Sequence, residues 1–164
     1  MNWGYGILTM VIVISTCYIG FRRPSLIPDR WSSGMVLVYY DSDGHGNEFN
    51  RIAFYKDSMQ VFLRITRMDG KPEEIRYKSR LPVAELDTLL LSLRKNNIDR
   101  IKMRTSDIAI NDVVSFSLTL FKNHSTLIRL SSDLNTELHP DDQRKVMIFT
   151  SHLRTLATRY CHRR

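Results

Sequence analysis

Between Trp3 and Phe21 the chain carries no charged side chain, and the pair Arg22-Arg23 closes the run before any domain-like pattern begins. A helix over this run, rising about 1.5 Å per residue, reaches roughly 28 Å, close to the ~30 Å hydrocarbon thickness of a bilayer. Ile7, Leu8, Met10, Val11, Ile12, Val13 and Ile14 form an apolar centre. Trp3, Tyr5, Tyr18 and Phe21 lie toward the two ends, where side chains with one apolar and one wet end favour the interface. A buried globular helix would show a polar face, and none runs through this segment. The expectation is a membrane anchor over residues 1–21, flanked by Arg22 and Arg23.

A cleaved signal peptide wants a positive n-region, and this chain has no Lys or Arg before position 22. Ile14-Ser15-Thr16-Cys17 resembles a bacterial lipobox, with Thr where Gly or Ala is usual, which makes Cys17 a lipidation candidate. Either way the remainder of the chain is expected to be tethered, as a single-pass protein or by acyl chains. The two readings place it on opposite sides of the membrane. Arg22, Arg23 and Arg30 favour a cytoplasmic domain by the positive-inside rule, whereas the lipobox favours an extracytoplasmic one. Cys17 and Cys161 offer no disulfide framework that reports the compartment.

Residues 22–34, punctuated by Pro24, Pro28, Ser32, Ser33 and Gly34, read as a linker, with Trp31 expected to pack on the base of the domain. Residues 35–164 then have the size of one ordinary domain. Met35 to Tyr40 reads as a strand running into the turn-rich stretch from Asp41 to Asn47, followed by strands over Phe49–Lys56 and Met59–Thr66. Asp69-Gly70 is a tight-turn pair, so Val61–Thr66 and Glu73–Lys78 are expected to form a hairpin. Pro82 suits the first position of a helix whose Val83, Leu86, Leu89, Leu90 and Leu93 recur at three- and four-residue spacing. Ile98–Arg104 reads as a strand, and Val113–Phe121 with Thr126–Ser131 as a second hairpin. A long helix over 140–160 closes the pattern, opened by Pro140-Asp141-Asp142 and striped by Val146, Phe149, Leu153, Leu156 and Tyr160. The fold expected is α+β: an N-terminal transmembrane helix, then antiparallel strands with two helices in the order strands, helix, strands, helix.

Catalytic patterns are few. The five histidines stand at no metal-ligand spacing, and no Gly-rich phosphate loop, Gly-x-Ser-x-Gly elbow or Cys-x-x-Cys occurs. Asp41-x-Asp43-x-His45-Gly46-Asn47 opens like an EF-hand loop but has Ile52 where the bidentate Glu belongs, so it reads as a connecting loop. No cofactor and no metal is expected. The net charge of +7 is spread over both halves of the sequence without a nucleic-acid motif, so no nucleic acid is expected. Anionic lipid is a simpler counterpart for a tethered basic domain, at about 1 kcal/mol per Lys or Arg near the surface. Arg144, Lys145, Arg154 and Arg159 on the last helix, with Arg163 and Arg164 beyond it, form a candidate basic contact surface. The sequence therefore points to a membrane-tethered, non-catalytic interaction domain or accessory subunit that binds another protein. A small membrane-anchored hydrolase or transferase with a dispersed site is the alternative, and a nucleic-acid binder comes third.

Overall fold

Alternation between buried and wetter residues along Met35–Ser42 (β1) marks a strand whose faces meet different surroundings: Met35, Leu37, Tyr39 and Asp41 are buried, and Val36, Val38 and Tyr40 less so. In the computed structural model β1 is flanked by Phe49–Tyr55 (β2) on one side, and the chain continues through Ser58–Thr66 (β3) and Pro72–Arg80 (β4). After helix α1 (Val83–Lys95) come a 3-10 turn at Ile98–Arg100 and the short strand Met103–Thr105 (β5). The hairpin Phe116–Lys122 (β6) and Ser125–Ser132 (β7), the short strand Thr136–Leu138 (β8) and helix α2 (Pro140–Tyr160) complete the order. The structure describes residues 24–42, 49–66, 70–105, 115–132 and 136–161. The anchor positions Trp3, Tyr5, Cys17, Tyr18, Phe21, Arg22 and Arg23, the loop residues Asp43, His45, Gly46 and Asn47, and Arg163 and Arg164 lie outside them.

Six strands form one antiparallel sheet in the order β4-β3-β2-β1-β6-β7, and β5 pairs with β8 in a separate two-stranded ribbon. The fold is α+β, an antiparallel sheet with two helices. Among the described residues no helix is long and apolar enough to cross a membrane.

The core lies on one face of the sheet. Leu37, Phe54 and Met59 stand opposite one another across three strands, and Leu118 and Leu120 continue the layer on β6. Leu86, Leu89, Leu90 and Leu93 of α1 and Val146, Phe149, Leu153 and Leu156 of α2 are buried in the same cluster. Fully burying one such side chain contributes roughly 1.5–3 kcal/mol, so these two stripes are what hold the helices on the sheet. Helix α2 runs over the residues that its Pro140-Asp141-Asp142 start implies, and His139 caps it by accepting from the Asp141 amide at 3.4 Å.

Ile27 and Trp31, from the segment read as a linker, are buried in this core. The Trp31 indole donates to the Lys56 carbonyl at 2.8 Å, its amide donates to Asp87 at 2.6 Å, and Asp29 pairs with Arg94. Ser25 and the Leu26 amide both donate to Asp99. Residues 25–31 are thereby fastened to α1 and to the 3-10 turn.

Strand β8 is not among the expected elements, and of the boundaries that differ from the sequence expectation three have a visible physical cause. Ile98–Arg104 is not one strand: Asn97 adopts a left-handed φ of 51° at the exit of α1, the chain makes the 3-10 turn, and only Met103–Thr105 is extended. Burial of Ile98 and the clasp of Asp99 on Ser25 hold that turn in place. Pro82, expected at the first helical position, is instead the residue before it, with an extended ψ of 140°. Asp41 and Ser42, expected in the loop, are the last residues of β1, because Asp41 pairs with Asn50 and Phe116 of the neighbouring strands and Ser42 with Phe49.

The β6-β7 turn is a two-residue one, Asn123-His124, with φ of 48° and 68° as a hairpin turn of this length requires. Gly34 lies against it, donating no side chain and accepting from the Asn123 amide at 2.9 Å. A Cβ at Gly34 would collide with the Asn123 side chain.

Candidate functional site

Because side chains alternate along a strand, every residue that points away from the helices lies on the opposite face of the same sheet. That face carries Arg51 on β2, Arg64 on β3, Arg76, Lys78 and Arg80 on β4, and Arg129 on β7, with Glu74 as the carboxylate among its described positions. Two adjacent cross-strand rows define its centre: Arg51 stands beside Phe62, which stands beside Arg76, and Ala53 stands beside Gln60, which stands beside Lys78. Ala53 is the short member. It forms the floor of a depression of about 510 Å³ whose walls include Arg51, Gln60, Phe62, Arg76 and Lys78.

The Arg76 guanidinium lies 5.0 Å from the centroid of the Phe62 ring and 3.2 Å from the Glu74 carboxylate. Such a cation over an aromatic face is worth about 0.5–1 kcal/mol at an exposed site, enough to bias a long side chain toward one orientation. Arg80 lies 3.7 Å from Asp57 in the β2-β3 turn. Tyr40, Val38, Ser117, Thr119 and Ser131 continue the same face over β1, β6 and β7. The face is basic over β2, β3 and β4, and over β1, β6 and β7 it carries hydroxyls together with Arg129.

The basic residues singled out on the last helix lie on the other layer. Lys145 pairs with Asp142 at 2.6 Å, Arg159 with Glu85 of α1 at 3.1 Å, and Arg154 with Asp41 of β1. Tyr160 adds its hydroxyl to Glu85 at 3.2 Å. Arg154 and Arg159 therefore fasten α2 to the sheet and to α1, while Arg144 is exposed on the outer surface of α2.

Asp41 is the most unusual polar residue in the interior. It is 3% exposed, accepts from the Tyr39 hydroxyl at 3.0 Å and from Arg154, and its Oδ1 is buried without a hydrogen-bond partner among the described residues. Burial, reinforced by the adjacent carboxylate, pushes the Tyr39 phenol up to about 12. The hydrogen bond to Asp41 holds Arg154 more firmly protonated than usual. Arg154 and Tyr39 line both a cavity of about 690 Å³, bordered also by Asp41, Thr150 and Ser151, and an apolar groove of about 260 Å³, bordered also by Cys161. Burial raises the pKa of that thiol.

The phenol of Tyr39 thus keeps its proton, the Asp41 carboxylate is engaged by Tyr39 and Arg154, and the Cys161 thiol is half-buried. His124 occupies the hairpin turn, and His139 caps α2, its Nδ1 3.7 Å from the Asp141 carboxylate. Among the described residues no group of three His, Cys, Asp or Glu side chains is placed to hold a metal ion. Asp41, the first oxygen of the EF-hand-like pattern, is turned into the core and paired with Arg154, not presented to the loop.

No protein-family model matches the chain, and no curated protein matches it either. The wet face of the sheet was, with the basic helix, the partner surface that the sequence led us to expect; what sequence reading missed is the set of cations gathered on it. Its signal was present in Arg76-Tyr77-Lys78-Ser79-Arg80, where cations recur with the strand period of two, but the contribution of Arg51 and Arg129 needs the strand order.

Proposed function

We propose that the chain is a membrane-tethered, non-catalytic interaction domain that binds a protein partner through the uncovered face of its sheet. What carries the reading is that face itself: both helices pack on one side, and the other side bears Arg51, Arg64, Arg76, Lys78, Arg80 and Arg129, against which, among the described residues, Glu74 pairs with Arg76 and Asp57 with Arg80. Antiparallel sheets tolerate one face in water, so openness alone is ordinary, but a one-sign field over such a face steers and selects a partner. The tether is the uncharged run from Trp3 to Phe21, as a spanning helix or through acylation at Cys17. Residues 25–31, which follow it in sequence, are fastened to α1 and the 3-10 turn.

Affinity purification of the full chain in mild detergent tests this. The expected result is a stoichiometric protein partner that is lost when Arg76 and Lys78 are both replaced by Glu and retained when Arg144 is. A chain that emerges alone and monomeric contradicts it.

Nucleic acid is the second reading, and one observation favours it: the fold gathers onto one face cations that are scattered along the sequence. Salt-dependent retention on DNA or RNA is its test, with a steep loss between about 50 and 200 mM salt expected for several phosphate contacts.

A further inference from the structure

We infer that the depression over Ala53 is the recognition subsite for an acidic, extended segment of the partner polypeptide, one with carboxylates at alternating positions. This rests on the reading of the open face as a protein-binding surface and goes further by naming the chemistry that binds there.

Charge complementarity comes first. Arg51, Arg76 and Lys78 surround one depression of about 510 Å³, and two of them are guanidinium groups, whose planar fork matches a carboxylate. Spacing comes second. Arg76 and Lys78, both lining the depression, point the same way two residues apart on β4, a repeat of about 6.8 Å at 3.4 Å per residue. Arg80, 3.7 Å from Asp57, continues the row beyond it, while Glu74 holds the Arg76 position that an incoming carboxylate takes over. An extended polypeptide with acidic side chains at every second position has the same repeat, so successive carboxylates meet successive cations without bending either chain. Ala53 supplies the room, because a larger residue between Arg51 and Gln60 would fill the floor on which the segment lies.

Two other anionic partners fit less well. Binding of a single nucleic-acid strand uses aromatic faces on which bases stack, and the aromatic in this depression, Phe62, is already covered by the Arg76 guanidinium at 5.0 Å. A lipid surface is disfavoured because residues 25–31, which follow the uncharged run in sequence, are fastened to α1 and the 3-10 turn and not to this face.

The test is fluorescence anisotropy with the full chain in neutral detergent and three labelled probes of equal length: an alternating Glu-Ser peptide, the corresponding Gln-Ser peptide and an oligo-dT strand. The Glu-Ser peptide is expected to bind and the Gln-Ser peptide not, with a loss of roughly tenfold or more in affinity for the double variant R76E and K78E and no change for R144E. Ala53→Leu, which keeps every charge, is expected to weaken the Glu-Ser peptide as well. Preferential binding of oligo-dT overturns the inference in favour of nucleic acid, and equal binding to all variants overturns the subsite. If the Glu-Ser peptide fails to bind while a protein partner still co-purifies and depends on Arg76 and Lys78, the acidic-strand inference fails and the interaction-domain reading stands. If no partner co-purifies, that reading fails on its own.

Discussion

Replacing Arg154 by Met removes the counter-charge of Asp41 while keeping most of the volume of the side chain. The Asp41 side chain is 4% exposed and that of Arg154 62% exposed, so one half of the pair is interior and the other is in water. Removing a partner from a fully buried pair costs about 3–5 kcal/mol, and an exposed pair is worth about 0–1 kcal/mol. The Tyr39 hydroxyl at 3.0 Å still donates to the carboxylate in the variant, which limits the loss. Between these bounds R154M is expected to destabilise the domain by about 2 kcal/mol. If the carboxylate is the reason, substituting Asp41→Asn in the R154M background restores part of the loss, because an amide left without the guanidinium carries no buried charge. The double variant should then lose less than the sum of the singles by about 1 kcal/mol or more. Urea unfolding of the four proteins in neutral detergent, followed by circular dichroism at constant m-value, measures the cycle. A loss under about 0.5 kcal/mol for R154M, or strict additivity, would refute the assignment of Arg154 to Asp41.

Three further outcomes follow from the same geometry. Tyr39 holds its proton to about pH 12 in the folded protein against about 10 in the unfolded chain, so its contribution is complete below pH 10 and is lost as pH rises from 10 to 12, by up to about 3 kcal/mol. The difference in unfolding free energy between wild type and Y39F should therefore shrink over that window, and a difference independent of pH would remove the explanation. His124→Gly relieves a left-handed residue in the Asn123-His124 turn and is expected to stabilise by about 0.5–1 kcal/mol in thermal unfolding, whereas a lower midpoint would contradict the turn assignment. Trp31→Ala empties a core position and breaks the 2.8 Å bond to Lys56, and should cost about 3 kcal/mol; a free linker residue would cost nothing.

Much of the architecture was legible where local chemistry and long-range packing agree. Helix α2 begins at Pro140 because a proline followed by two aspartates meets every requirement of a helix start, and its apolar stripe then finds the sheet. The β3-β4 pair forms between the segments that flank Gly70. Ile98–Arg104 misled because β-branched residues mark burial as readily as strand: Ile98 is buried in a 3-10 turn set by Asn97, whose left-handed backbone leaves no apolar signal. Asp41 read as a loop residue because it opens the turn-rich run to Asn47, whereas its strand neighbour Phe116 and its ion-pair partner Arg154 are far along the chain. No local pattern announces a contact over that separation. The basic half of the open face was likewise hidden, since Arg51 joins Arg76 only through the β2-β3-β4 register.

Site-specific photo-crosslinking from the full chain in cells probes the proposed partner-binding face most directly. A photoreactive residue at Gln60, within the depression, should give a crosslinked protein adduct whose yield falls when Arg76 and Lys78 are replaced by Glu; the same residue at Met147, 64% exposed on α2, should give none. Adducts from Met147 and none from Gln60 would place the partner on the helix layer and contradict the assignment of the open sheet face.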